Sequence, residues 1–314
     1  AANRRVLIEG PAGTGKTLIA IENARRASSE GKSTLLLCYN NTLAAWITTL
    51  TESDKNIHVS NLHSLMERYR DPNHRFKNFR RGTYWTDELP EVATLSAMSL
   101  DTPPYDCIVI DEAQDLIREN YLMFIDSILK EGLESGTWTM LGDFENQAIY
   151  TRDIDHMDIL ENQASFARVG IRDNCRNTPD ICDYVSSITD LDPPYRKTRR
   201  QSNNHRPEIL YYTNKDEQTD QLISLLQGLT DEAMPSGQTV VLGPTRRGAA
   251  YQLLKPGDHK LPYTVHPFNL KGFTQVKKVA DGLTIDPPSL DDYIKYSEGF
   301  SDNEIKIEFA SSLR

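Results

Sequence analysis

Eight consecutive residues near the start of the chain, Gly10-Pro11-Ala12-Gly13-Thr14-Gly15-Lys16-Thr17, carry its densest chemistry. They fit the pattern G-x-x-x-x-G-K-[ST] between an apolar run and a segment of helical spacing, the context in which such a loop wraps phosphate. The glycines let backbone N–H groups turn inward, and the positive end of the following helix adds to the attraction. Lys16 then reaches the β- and γ-phosphates of a nucleotide and the Thr17 hydroxyl ligates Mg2+, so ATP and Mg2+ are the ligands these residue types ask for.

A second centre is Ile108-Val109-Ile110-Asp111-Glu112-Ala113-Gln114-Asp115. A buried apolar strand leaves its two following carboxylates at the edge where phosphate sits. Asp111 suits Mg2+, held through its water shell, and Glu112 suits the water that attacks the γ-phosphate, since phosphoryl transfer depends on positioning and charge. Two acids at the start of a helix would also complement its dipole; the phosphate loop earlier in the chain favours the first reading.

The elements that must hold these groups are short. Residues 4–9 form an apolar strand, 18–27 a helix, and 34–39, 107–110 and 138–141 further strands. Short Val, Ile and Leu runs alternating with helices predict an α/β fold with a parallel sheet covered on both faces, whose crossovers bring the loops to one edge. Ligands bind at that edge. Residues 65–105 break the pattern and read as a small insertion. A new strand, helix and strand at 209–212, 217–229 and 239–242 predict a second α/β domain, so the expected division is 1–168 and 169–314, with a Pro-rich, charged linker around 192–204.

The motif order resembles superfamily 1 helicases of the UvrD/Rep type. It runs from the phosphate loop through Asp111–Asp115 to Leu141-Gly142-Asp143-Phe144-Glu145-Asn146-Gln147-Ala148-Ile149-Tyr150 and then Asn174-Cys175-Arg176-Asn177-Thr178. The resemblance covers residues 4–185 and implies two RecA-like P-loop domains. It implies that Gln147 contacts the γ-phosphate, that Tyr150 lies towards a base, and that Arg176 is an arginine finger supplied from the second domain. Catalytic work would then fall to Lys16, Glu112, Gln147 and Arg176. Asn40 and Thr42 after the second strand, and His63 in Asn61-Leu62-His63-Ser64, match the family's strand-contacting blocks; the same residue types are also ordinary turn formers and helix caps.

The chain departs from the family where Cys175 stands in place of an aromatic residue and where later blocks have only partial counterparts, Thr264-Val265-His266 with Lys271-Gly272, and Phe309 to Arg314. The family reading is an ATP-dependent helicase or translocase acting on single-stranded or forked DNA. Its rivals are a nucleic-acid-stimulated ATPase beside a nuclease or defence-system partner, and an ATP-gated protein-binding switch.

Composition sets the outer bounds. At 314 residues the chain exceeds one average domain. A net charge of −10 argues against a surface that clings to polyanions everywhere, so any nucleic-acid site must be local. One candidate runs from Arg68 to Arg81, with six Lys/Arg against one acid and three aromatics interleaved. It suits phosphates and stacked bases as well as it suits a solvated insertion, and Arg196, Lys197, Arg199 and Arg200 pose the same choice. Four cysteines without C-x-x-C pairing predict reduced thiols and no zinc site. With no apolar run long enough to span a bilayer, the expected location is cytoplasmic.

Overall fold

The computed structural model describes residues 3–70, 83–144, 156–189, 191, 194–202, 206–231, 240–243, 264–266, 275–279, 282–286 and 304–309. Two compact units divide the chain, Ala1–Pro207 and Glu208–Arg314.

The first unit is built on a six-stranded parallel sheet. Its strands are β1 (Arg5–Glu9), β2 (Thr34–Cys38), β3 (Ile57–Asn61), β4 (Cys107–Ile110), β5 (Thr137–Gly142) and β6 (Ala167–Gly170), in the order β3-β2-β4-β5-β1-β6. Its helices are α1 (Lys16–Ser29), α2 (Asn41–Leu50), α3 (Leu62–Tyr69), α4 (Leu89–Met98), α5 (Glu119–Ile128), α6 (Gly132–Ser135), α7 (His156–Glu161) and α8 (Pro179–Ile188). Side chains of successive strand residues point to opposite faces, so a strand covered on both sides must be apolar throughout. Leu35, Leu37, Ile108, Ile110, Trp138 and Met140 enter the larger core with Leu65, Met66, Leu89, Ala93, Phe124 and Ile125. Leu36, Cys107, Val109 and Leu141 enter the other core, against Ala20, Ile21, Ala24 and Ile47 of α1 and α2.

The predicted central strands fall where the apolar runs are. The two outer strands give no such signal: β3 reads Ile-His-Val-Ser-Asn and is half-buried over its first three residues, while β6 is largely exposed. Edge strands with one covered face need no apolar run. Within the stretch marked as an insertion, Tyr84–Glu88 make a single π-helical turn that continues into α4, and Tyr84, Leu89, Ala93 and Ala97 join the larger core. α4 packs on α3 and α5. Of the basic run Arg68–Arg81, residues 71–81 lie outside the described residues.

The charged stretch read as a linker folds back onto this unit. β7 (Asp173–Asn174) and β8 (Lys197–Thr198) form a two-residue parallel strip, extended by Arg196 N–H to Arg172 O at 2.9 Å and Arg199 N–H to Asn174 O at 2.8 Å. All four cysteines are free thiols, three buried and Cys175 exposed. Among the described residues no helix is long and apolar enough to cross a membrane.

The second unit contains α9 (Lys215–Asp231), a three-stranded parallel sheet of β9 (Val240–Gly243), β10 (Thr264–His266) and β13 (Glu304–Phe309) in the order β10-β13-β9, and an antiparallel pair of β11 (Gln275–Val279) and β12 (Gly282–Asp286). The helix and the strand after it lie where the sequence places them. The strand predicted at 209–212 does not form: among the described residues these four pair with no strand, and each is at least 45% exposed. An apolar run makes a strand only where a neighbour offers a ladder.

Phe124 is fully buried and meets Tyr69 edge-on at 5.3 Å between ring centroids. Truncation by Phe124→Ala leaves a cavity under the sheet and is expected to lower unfolding free energy by about 3–5 kcal/mol, measured by urea denaturation of both proteins.

Candidate nucleotide-binding site

Because the strands are parallel, everything that follows a strand collects on one edge of the sheet. Gly10 leaves β1, Asp111 leaves β4 and Asp143 leaves β5, which lies between those two. The start of the phosphate loop is tied to this frame by Gly10 N–H to Gly142 O at 3.1 Å, and Asp111 by its own N–H to Leu37 O at 2.8 Å.

The loop itself needs two left-handed residues. Gly15 (φ 90°) precedes the first turn of α1 as its N-cap, and Gly13 (φ 82°) lies against the Asn174 amide, where an added Cβ would stand 2.7 Å from Nδ2. Both conformations favour glycine. Lys16 is 6% exposed, and its ammonium donates to Gly10 O at 2.7 Å and Pro11 O at 3.2 Å. The Thr14 hydroxyl donates to Pro11 O at 2.8 Å. Burial pulls the Lys16 pKa down and Arg176 adds to that, while Glu112, Asp143 and Asp111 pull it back up. The lysine and the three carboxylates thus share one electrostatic site.

Asp111 is fully buried, with neither carboxylate oxygen in a conventional hydrogen bond. Burial raises its pKa to about 6; the Thr17 hydroxyl lies close enough to oppose that, and Glu112 reinforces it. A buried carboxylate beside a threonine hydroxyl at a phosphate loop is a fitting donor set for Mg2+, which takes one or two protein oxygens and completes its shell with water and substrate phosphate. Among the described residues no group of three or more His, Cys, Asp or Glu is arranged to hold a metal ion. Thr17 and Asp111 are therefore the residues that could hold the ion.

Glu112 stands in the left-handed region (φ 54°, ψ 46°), which costs a residue with a Cβ. Its carboxylate is held by Gln114, whose Nε2 donates to Glu112 Oε2 at 2.7 Å while its Oε1 accepts the Asp143 N–H at 3.1 Å. Gln114 is itself buried, so it fastens the end of β4 to the end of β5 through the glutamate.

Arg176 lies in the same compact unit as the phosphate loop, whereas the family pattern supplies it from a second domain. Asn174 explains its position. This fully buried residue accepts the N–H groups of Arg176 (2.9 Å) and Asn177 (2.8 Å) on Oδ1 and donates from Nδ2 to Ala12 O at 3.3 Å. Cys175 N–H reaches Gly13 O at 2.8 Å, and the Tyr195 hydroxyl donates to Ala12 O at 2.9 Å. The sequence singled out the arginine but gave no role to Asn174, and Tyr195 lies where composition suggested a linker.

The strand-contacting candidates divide. Asn40 follows β2 and His63 opens α3, both on the same edge of the sheet as the phosphate loop. His63 is enclosed: Nε2 pairs with the Tyr121 hydroxyl at 3.0 Å, and Tyr39, Trp85 and Tyr121 meet its ring edge-on. Burial, with Arg118 assisting, lowers its pKa to about 4. Asn61 caps α3, accepting the Ser64 N–H at 2.9 Å, which is the ordinary role for its type. Thr42 lies in α2, with its side chain outside the described residues, as are Gln147 and Tyr150 altogether.

Residues 3–154, just under half of the chain, match the family model described as Schlafen group 3, DNA/RNA helicase domain. No curated protein sequence matches significantly. Among solved structures, one of two coordinating Pif1 helicases unwinding forked double-stranded DNA matches with a TM-score of 0.38 and 17% identity over 82% of this chain and 55% of the other. A crystal structure of Bacteroides sp Pif1 with ADP-AlF4 matches with a TM-score of 0.36 and 17% identity over 81% and 53%. The chain spans about half the length of these two helicases. The family model is of Schlafen type and does not show a UvrD/Rep subtype.

Two measurements check the electrostatics. The buried Asp111 carboxylate opposes folding once it ionises, so Asp111→Asn is expected to be more stable than wild type at pH 7 without nucleotide or Mg2+. The gap should open as pH rises from about 4 to about 6, the interval between the ordinary and the raised pKa; urea denaturation across that range reads it. His63 has the opposite sign: its unfolded form binds a proton between about pH 6.5 and 4 that its folded form does not, so its contribution to stability falls as pH drops through that window. NMR titration should show its ring neutral at pH 5.5.

Proposed function

We propose that this chain is the ATP-hydrolysing core of a superfamily 1 helicase or translocase that moves along nucleic acid, DNA in the first instance. The observation that carries this reading is the convergence, on one sheet edge, of the Lys16 loop, the buried Asp111 carboxylate, the strained Glu112 and an arginine fixed to that loop through Asn174.

In that reading the loop amides and Lys16 hold the β- and γ-phosphates of ATP, and the Thr17 hydroxyl with Asp111 holds Mg2+, which supplies charge neutralisation at the phosphate oxygens. Glu112, aimed by Gln114, orients a water in line with the γ-phosphorus and takes its proton. The new bond forms from that water oxygen to phosphorus as the bond to the β-γ bridging oxygen breaks, leaving ADP and phosphate. Arg176 stabilises the charge on the transferring group, as arginine fingers do. Gln147, from the family pattern, reports the state of the γ-phosphate to the strand-binding edge, where Asn40, Thr42, His63 and Tyr150 would line the path of a single strand. In the family pattern a second RecA-like domain converts ATP turnover into movement. The family-model match to a DNA/RNA helicase domain supports a nucleic-acid track.

ATP hydrolysis by the purified chain, with and without single-stranded DNA or RNA, tests the reading. Hydrolysis should rise with a strand present, vanish in Lys16→Ala, and fall by about 100-fold or more in Glu112→Gln, as expected when a positioned base is removed. A rate indifferent to every strand would remove the motor and leave a nucleotide-gated switch. A forked-duplex assay then separates unwinding from translocation alone.

A further inference from the structure

A phosphate loop works only if its peptide N–H groups face the ligand, and in a trans peptide the N–H and C=O point to opposite sides. Fixing the carbonyls therefore fixes the amides. The carbonyls of Gly10 and Pro11 are bonded from within the loop, by Lys16 and Thr14. Those of Ala12 and Gly13 are bonded by residues more than 160 positions away: Ala12 O by Asn174 Nδ2 and the Tyr195 hydroxyl, Gly13 O by Cys175 N–H. Holding Ala12 O outward sends the Gly13 N–H to the other side, away from these partners.

Of these outer partners, Tyr195 belongs to none of the helicase motif blocks. It is delivered by a short strap whose base is pinned three ways. The β7–β8 strip sets its register, the main-chain bonds from Arg196 and Arg199 extend that strip, and the Asp173 carboxylate accepts from the guanidinium groups of both Arg196 (2.8 Å) and Arg199. Exposed ion pairs add little alone. Two arginines on one carboxylate beside a hydrogen-bonded strip do fix where the next residue can reach, and Tyr195 is that residue.

We propose that Tyr195 is a positioning residue of the phosphate loop: its hydroxyl, carried on the strap of residues 195–200, holds the Ala12 carbonyl outward and so pre-sets the loop amides for nucleotide phosphate. This rests on the ATPase reading above. It assigns a role in nucleotide binding to a segment whose composition suggests only a connection between domains, and it makes the ordering of that segment part of the cost or gain of binding ATP.

Binding of a fluorescent ATP analogue with Mg2+, alongside steady-state ATP hydrolysis, tests it in Tyr195→Phe, which deletes one oxygen. Loss of a neutral hydrogen bond is expected to raise Kd and KM together by about 3- to 10-fold, with Tm unchanged. The rate at saturating ATP should stay within about two-fold of wild type, since the bond acts on binding and not on the chemical step. Unchanged Kd and KM, or a fall confined to kcat, would overturn the proposal while leaving the ATPase reading intact. Failure of the wild-type chain to bind the analogue would overturn both. Should Tyr195→Phe fail to fold, Asp173→Asn carries the same test by loosening the strap without touching the loop: raised Kd and KM support the proposal and unchanged values refute it.

Discussion

The burial of the Asp111 carboxylate is the constraint around which the first unit is arranged. A four-residue strand that is apolar on both faces runs straight into an acid with neither oxygen in a conventional hydrogen bond. Taking a carboxylate out of water is unfavourable unless something meets it, and here burial raises its pKa to about 6. Nothing in the packing of β4 requires an acid at that point; a neutral residue would be easier to bury. The cost fits the Mg2+ site proposed for this carboxylate. Thr17 stands beside it at the start of α1, the same carboxylates pull the Lys16 pKa up against its burial, and Glu112 holds a left-handed backbone with its side chain on Gln114.

The sheet topology turns this local strain into a site. β5 separates the strand that ends in the phosphate loop from the strand that ends in Asp111 and places Asp143 at the middle of the edge. Gln114 braces that edge from one side by linking Glu112 to the Asp143 amide. Asn174 braces it from the other, bonding the Ala12 carbonyl with one end of its amide and the Arg176 N–H with the other. Lys16, Glu112 and Arg176 are therefore not three independent surface groups. Each is referred to the same frame of strand ends, so a displacement of the loop is felt at the arginine and at the glutamate.

Much of this was legible in the sequence because it is written in local patterns. The Gly10–Thr17 loop, the apolar run before Asp111 and the strand before Gly142 each carry their own signal, as does α1 with its small residues at Ala20, Ala24 and Ala27. Edge strands were not legible: β3 and β6 have only one covered face and tolerate His58, Ser60 and Arg168. The partners of the phosphate loop were hidden for a different reason. Asn174 and Tyr195 act through single hydrogen bonds across more than 160 residues of chain, and no spacing rule marks such a pair. A Pro-rich, charged stretch reads as a linker by composition even where Asp173 gathers Arg196 and Arg199 and folds it back. His63 carries surroundings that its motif does not announce, three aromatic rings and the Tyr121 hydroxyl about its imidazole.

Whether Thr17 and Asp111 serve the Mg2+ that accompanies a nucleotide at this loop is read by calorimetric titration of ADP with and without Mg2+ into the wild-type chain and Thr17→Ala. Mg2+ is expected to tighten ADP binding in the wild type by about ten-fold or more, a coupling of the usual size between two ligands of one site, and Thr17→Ala to lose most of that gain while still binding ADP alone. Equal ADP affinity with and without Mg2+ in the wild type would contradict that role.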